Sequence, residues 1–193
     1  MSLEEYLWLE RSGSVKHEFV DGVVYALAGG TRAHSRIATN AGWLLEEALD
    51  ESACRVFNSD MKVRITPRVF RYPDLSVSCD SVSCDARDDN ADSEELDYIG
   101  YPTLILETLS DSTAREDRTA KFAEYRSIPT FREYVLATAD RMAVYIYRRQ
   151  DDGTWASTTY ADGDDIVLES LGVHLPVAAL YHKVRLRPGP APS

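Results

Sequence analysis

Apolar residues recur along this chain in two rhythms, and the switches between them mark its elements. Leu3, Tyr6, Leu7 and Leu9 follow Ser2, a residue suited to an N-cap, and predict a first helix running to Arg11. His17-Glu18-Phe19-Val20 and Val23-Val24-Tyr25-Ala26-Leu27 flank Asp21-Gly22, a strong turn dipeptide, and predict a β-hairpin. Gly29-Gly30-Thr31 breaks the pattern, and a long helix follows over roughly Ala33 to Asp50, with Ile37, Leu44, Leu45 and Leu49 on its apolar side. Arg55-Val56-Phe57 and Met61-Lys62-Val63-Arg64-Ile65 predict short strands. Pro67 ends the second, because proline has no N–H to give a sheet ladder.

The next two runs are apolar but each carries an acid. They are Tyr72-Pro73-Asp74-Leu75-Ser76-Val77 and Leu104-Ile105-Leu106-Glu107-Thr108-Leu109. Both read as strands that pack inside a sheet. The second leads through Ser110-Asp111-Ser112-Thr113 into a helix from Thr113 to Ser127, which Ser112 or Asp111 caps and Pro129 stops. Glu133 to Ala137 and Met142 to Tyr147 predict a strand pair turning near Asp140. Trp155 to Tyr160 follows the Asp152-Gly153 turn as a further strand, and Val173 to Tyr181 closes the pattern with a short helical turn. Phe122, Tyr134, Tyr147 and Trp43 are expected in the core, and Lys62, alternating with Met61 and Val63, in solvent. No linker divides the pattern, so residues 1–187 are expected to form a single domain, with a disordered Pro-rich tail over 188–193.

Composition narrows the function classes. The 193 residues, 44% hydrophobic and 27% charged, suit a globular domain, and no apolar run is long enough to span a bilayer. Met1-Ser2-Leu3-Glu4-Glu5 lacks the basic start and apolar core of a signal peptide, so the cytoplasm is the expected location. Cys54, Cys79 and Cys84 show no zinc-type spacing, and free thiols are expected. The net charge of −11 argues against a protein that coats nucleic acid but not against a nuclease with a local basic groove. Much of the acidity falls in residues 80–97, which read as a solvated loop that fits no EF-hand pattern.

The acid-bearing strands remain the candidate chemistry. A carboxylate in or beside a buried strand is costly unless a proton, a cation or a metal compensates it. Asp74 and Glu107, with the backbone carbonyl of Thr108, supply hard oxygen donors for Mg²⁺ or Mn²⁺ if their strands are neighbours. Such an ion activates water and neutralises phosphate charge. Asp117, Lys121 and Tyr125 share one face of the next helix, from which Lys121 could orient water or stabilise an oxyanion. Glu18 is a candidate third acid. Structural alternatives stand beside each: Asp74 starting a strand, Glu107 bridging Lys121, Asp117 and Lys121 as a surface ion pair, Glu18 as an exposed strand residue, and His34 as an inert helix-terminus residue.

The chain resembles the Uma-type family of restriction endonucleases. The resemblance runs through His17-Glu18-Phe19-Val20-Asp21-Gly22, Ala33-His34, Ser59-Asp60-Met61-Lys62-Val63, Tyr72-Pro73-Asp74-Leu75-Ser76-Val77 and Leu106-Glu107-Thr108-Leu109-Ser110-Asp111-Ser112-Thr113. Asp117, Lys121-Phe122, Tyr125, Ile128-Pro129 and Glu133-Tyr134-Val135-Leu136 continue it, and it covers roughly residues 3 to 182. It implies an α/β (α+β) fold of the PD-(D/E)XK nuclease superfamily. That fold is a restriction-endonuclease-like core with a central mixed β-sheet, helices on both sides and additional antiparallel strands at both ends. By the resemblance Asp74 and Glu107 are the motif acids and Glu18 an additional one. The motif lysine, normally two residues after the second acid, is replaced there by Leu109, and Lys121 on the following helix takes its part. The expected activity is divalent-metal-dependent hydrolysis of nucleic-acid phosphodiesters, most readily DNA, by a homodimer. The alternative is a catalytically silent nuclease fold kept as a binding or assembly module.

Overall fold

In a computed structural model the described residues are 1–79, 97–110 and 114–186. The first helix, α1 (Leu3–Ser12), starts on a reciprocal capping box: the Ser2 hydroxyl accepts the Glu5 N–H, and the Glu5 carboxylate accepts the Ser2 N–H at 2.7 Å. β1 (His17–Val20) and β2 (Val23–Ala26) form the expected hairpin. Both its turn residues, Asp21 (φ 49°) and Gly22 (φ 89°), are left-handed, as a two-residue turn between twisted strands requires. α2 (Arg32–Ala48) follows, capped by Thr31, and buries Ile37, Ala41 and Leu45.

β3 (Arg55–Asn58), β4 (Lys62–Thr66), β5 (Val69–Arg71), β6 (Leu75–Ser78), β7 (Tyr98–Ile99) and β8 (Leu104–Leu109) come next. A helical segment, here α3, then runs through Ala114–Glu116, a π-helical turn Asp117–Lys121, and Phe122–Tyr125. β9 (Glu133–Thr138), β10 (Ala143–Arg149), β11 (Trp155–Ala161), β12 (Asp165–Leu168), β13 (Val173–Pro176) and the short α4 (Val177–Leu180) complete the order.

Two sheets result, with strand orders β2-β1-β5-β4-β7 and β11-β10-β9-β8-β6-β3, beside a β12-β13 hairpin. The six-stranded sheet is mixed, since β8 and β9 are parallel and its other pairs antiparallel. A parallel pair needs a crossover, and α3 supplies it. Period-two alternation divides the sheet's core. Leu104 and Leu106 of β8 join Ile37, Ala41 and Leu45 of α2 on one face. Ile105 and Leu109 pack on the other with Tyr125 of α3 and with Val63 and Ile99 of the five-stranded sheet. Glu107 shares the parity of Ile105 and Leu109 and therefore points toward α3. The β6–β8 register pairs Leu75 with Leu106; one residue further it sets Asp74 against Glu107.

Several expectations are corrected. Trp43 is 64% exposed, because it lies two residues from both Ala41 and Leu45 and so faces away from the buried stripe of α2. Lys62 is 3% exposed: both faces of β4 are covered, and its ammonium pairs with Asp97 at 2.9 Å beside the Tyr72 ring. β5, β7 and β12 were not anticipated, and the expected helical turn over Val173 to Tyr181 is a strand followed by a turn of helix. The cysteines are corrected too. The β3–β6 register pairs Arg55 with Ser78, which brings Cys54 and Cys79, one residue beyond, into a disulfide. That bond removes the thiol argument for a reducing compartment. The acidic run 80–96 with Cys84, the capping residues 111–113 and the tail 188–193 lie outside the described residues.

Closing the loop between Cys54 and Cys79, 25 residues apart, is worth about 3 kcal/mol in the chain-entropy account. Reduction is therefore expected to lower the unfolding free energy by that order in urea titrations with and without reductant. Cys54→Ser should then be insensitive to reductant. Identical wild-type curves would show that the bond does not form in solution.

Candidate active site

The alternation of β8, its register with β6 and the crossover α3 bring the acid-bearing segments to one open cleft of about 1350 Å³. Glu18, His34, Arg71, Asp74, Glu107, Thr108, Asp117 and Lys121 all line it. The sequence-predicted residues are thus gathered at one place, although they come from β1, the approach to β6, β8 and α3.

Lys121 is the hub. Its Nζ lies 3.1 Å from Glu107 Oε1, 3.1 Å from Asp117 Oδ1 and 3.6 Å from Glu18 Oε1. All four side chains are buried. The Asp117–Lys121 pair is therefore no surface bridge, and Glu18, at 4% exposure, no solvated strand residue. Glu107 Oε1 also accepts from the Tyr125 hydroxyl at 3.3 Å, so two residues of α3 converge on one oxygen. Burial pushes the Glu107 carboxyl up to about 8, helped by the negative charges of Asp74 and Asp117 and opposed by Lys121. Burial works against the Lys121 charge as well, but Glu107, Glu18 and Asp117 outweigh it and hold the ammonium protonated.

Arg71 is a second buried cation behind the first. It gives one hydrogen bond to Glu18 Oε2 at 2.6 Å, another to Glu116 and a forked pair to Glu124 at 2.8 and 2.9 Å. Glu18 accepts the Tyr72 N–H on its other oxygen. Neither Arg71 nor Glu124 stood out in the sequence. Arg71 belongs to an unanticipated three-residue strand, and its partners are 45 to 53 positions away.

Asp74 is held differently. Its Oδ2 accepts the backbone N–H of Thr108 at 2.6 Å, and its Oδ1 lies 2.7 Å from His34 Nε2. Thr108 thus meets the site through its N–H. The hydrogen bond to Asp74 raises the His34 pKa, with burial opposing it. Setting His34 aside as an inert helix-terminus residue is corrected here, because the first turn of α2 carries its ring onto Asp74. Its placement on the helix was legible in the sequence; the helix's direction across the sheet was not.

The acids converge on the Lys121 ammonium. Among the described residues no three His, Cys, Asp or Glu side chains are gathered closely enough to hold a metal ion by themselves. The donor set nevertheless suits a hard cation. Thr108 Oγ1 and Asp117 Oδ1 are buried, line the cleft and make no hydrogen bond, Asp117 meeting Lys121 by charge alone.

Comparison with known proteins agrees with this architecture. A solved structure described as a putative nuclease belonging to DUF820, from Anabaena variabilis, superposes with a TM-score of 0.73 over 94% of this chain and 97% of that one, at 18% sequence identity. It shares the fold. In Synechocystis sp. (strain ATCC 27184 / PCC 6803 / Kazusa) the uncharacterized protein slr1290 is 35% identical over 182 residues, covering 94% of this chain and 91% of its own. The uncharacterized protein sll1609 of the same strain is 31% identical over 159 residues, 82% of this chain and 86% of its own. The family model Uma2, described as "Putative restriction endonuclease", matches residues 3–178, and the chain belongs to that family.

Proposed function

We propose that this chain is a divalent-metal-dependent endonuclease that hydrolyses nucleic-acid phosphodiesters, with duplex DNA as the substrate. The observation that carries the proposal is the buried Lys121 ammonium held among Glu107, Asp117 and Glu18 in an open cleft. Asp74 and Glu107, with Thr108, would hold Mg²⁺ or Mn²⁺, and Glu18 would assist. When bound, the ion supplies an activated water and neutralises charge on the phosphate. Lys121 has donors to spare beyond its carboxylate partners. It orients the attacking water and stabilises negative charge as it develops. Tyr125 and Lys121 fix the Glu107 carboxyl, and Thr108 N–H and His34 fix Asp74, so the acids are oriented before any ligand arrives. Cutting both strands of a duplex suits a two-fold homodimer.

One observation favours the second reading, a silent binding or assembly module. The described cleft lining carries six carboxylates (Glu18, Glu46, Asp74, Glu107, Glu116 and Asp117) against Lys16, Arg71 and Lys121. That is not a basic groove, and a polyanion enters it only with added cations. The two readings separate on turnover.

Plasmid DNA incubated with Mg²⁺ or Mn²⁺ is expected to be cut by the wild type, and Asp74→Ala and Glu107→Ala to lose about a hundredfold or more of that rate. Equal cleavage by all three would reject the site. Lys121→Met should also lose cleavage. Calorimetry should find that it binds the ion at least as tightly as wild type, because a competing cation has left the acids.

Burial of Glu107 adds a stability signature. The folded carboxyl keeps its proton up to about 8, whereas the unfolded one releases it near its ordinary 4.5. Stability is therefore highest below the unfolded value and falls as pH climbs from there to about 8. Glu107→Gln cannot ionise and is expected to escape that fall, a difference on the order of a few kcal/mol. Urea unfolding of both proteins at about pH 5 and about pH 9 measures it. Parallel pH dependences would show that Glu107 is ionised throughout.

A further inference from the structure

His34 is the one imidazole in the described cleft lining, and the chain builds a seat for it. Thr31, the N-cap of α2, accepts the His34 N–H. Gly30 lies flat against the ring: a Cβ there would come within 3.1 Å of both Cγ and Cδ2, tighter than carbon contacts normally run. A side chain at position 30 would push the ring from its place. The ring therefore passes between the bare Gly30 backbone and the floor of the cleft, and Nε2 arrives 2.7 Å from Asp74 Oδ1.

Orienting Asp74 does not by itself require this residue. The Thr108 N–H already fixes the other oxygen at 2.6 Å through sheet backbone. The His34 side chain is also 22% exposed, so its ring faces the cleft and is not filling the core. A ring nitrogen beside the outer oxygen of a metal-binding acid is placed to ligate the same ion.

We infer that His34, seated by Gly30, is a direct nitrogen ligand beside Asp74, and that it biases the site toward Mn²⁺ over Mg²⁺. The inference rests on the metal-dependent reading above. Mg²⁺ is served by oxygen donors, whereas an imidazole nitrogen suits the later divalent ions, and Mn²⁺ accepts both donor types. Exchanging one oxygen donor for imidazole changes which ion the acids select, while leaving Lys121 to act on the water.

The test uses the full chain and the metals alone. Electron spin-echo spectroscopy of the Mn²⁺-loaded wild type is expected to show coupling to an imidazole nitrogen, and His34→Gln to lose it. In calorimetric titrations His34→Gln should weaken Mn²⁺ by about tenfold or more while Mg²⁺ affinity changes much less, lowering the Mn²⁺/Mg²⁺ preference. Gly30→Ala, which keeps the imidazole but crowds its seat, should move the preference the same way by a smaller factor. Absence of nitrogen coupling in a wild type that binds Mn²⁺ overturns the inference. So does an equal loss for both ions in His34→Gln, the mark of a residue that only orients Asp74. The metal reading itself fails on a different result, Asp74→Ala and Glu107→Ala binding Mn²⁺ as tightly as wild type. The wild-type spectrum needs no variant to fold.

Discussion

One ammonium makes the middle of this protein possible. Glu107, Asp117 and Glu18 are all buried, and like charges at such separations in a weakly polarisable interior would drive each other to take up protons or the segments apart. Lys121 sits among them, and Arg71 takes the outer oxygen of Glu18. The balance remains incomplete, and the proton that burial keeps on Glu107 up to about 8 is the visible remainder. The site is thus one positive charge short of comfort at neutral pH. A structural ion pair has no use for that deficit, whereas a site that takes up a cation does.

The fold's topology follows from where that ammonium must be. β8 and β9 run parallel, so the chain must cross back, and the crossover passes over the face toward which Glu107 points. α3 makes the return with a π-helical turn over Asp117–Lys121. An extra residue in a turn shifts the phase of everything after it, which is why such turns recur at functional sites. Here Lys121 and Tyr125 both reach Glu107 Oε1, while the Asp117 carbonyl accepts from the Tyr134 hydroxyl and ties the turn to β9.

Sequence periodicity carried the element types and much of the order. It carried them best where local chemistry is decisive: the Ser2 capping box, the Asp21-Gly22 turn, the acid-bearing strands. It failed where a short element depends on neighbours far away. Val69–Arg71 forms a strand because β1 and β4 flank it, and nothing within those three residues says so. Lys62 read as solvated because alternation assumes one wet face, and Asp97 and Tyr72 cover that face. At the site, Asp74, Glu107 and Lys121 were legible as residue types that an apolar strand or a shared helix face does not need. Arg71 and His34 were not, since their significance lies in contacts 40 or more positions away.

The acidity of the chain looks at first like an argument against a nucleic-acid substrate. It weakens once the charges are divided by place. The −11 total includes the acidic run 80–97, of which only Asp97 is described, and Asp97 pairs with Lys62. What a phosphodiester would meet is the cleft, and there the carboxylates outnumber the lysines and arginines. Direct binding of a polyanion by such a surface is unfavourable, while binding through an ion that both partners coordinate is favourable on each side. The same acids that repel bare phosphate are the ones that attract the ion, so binding and chemistry would share a single requirement. An enzyme that grips DNA with a basic groove and uses metal only for chemistry can bind without the ion. This cleft, by its charge, would do neither without it.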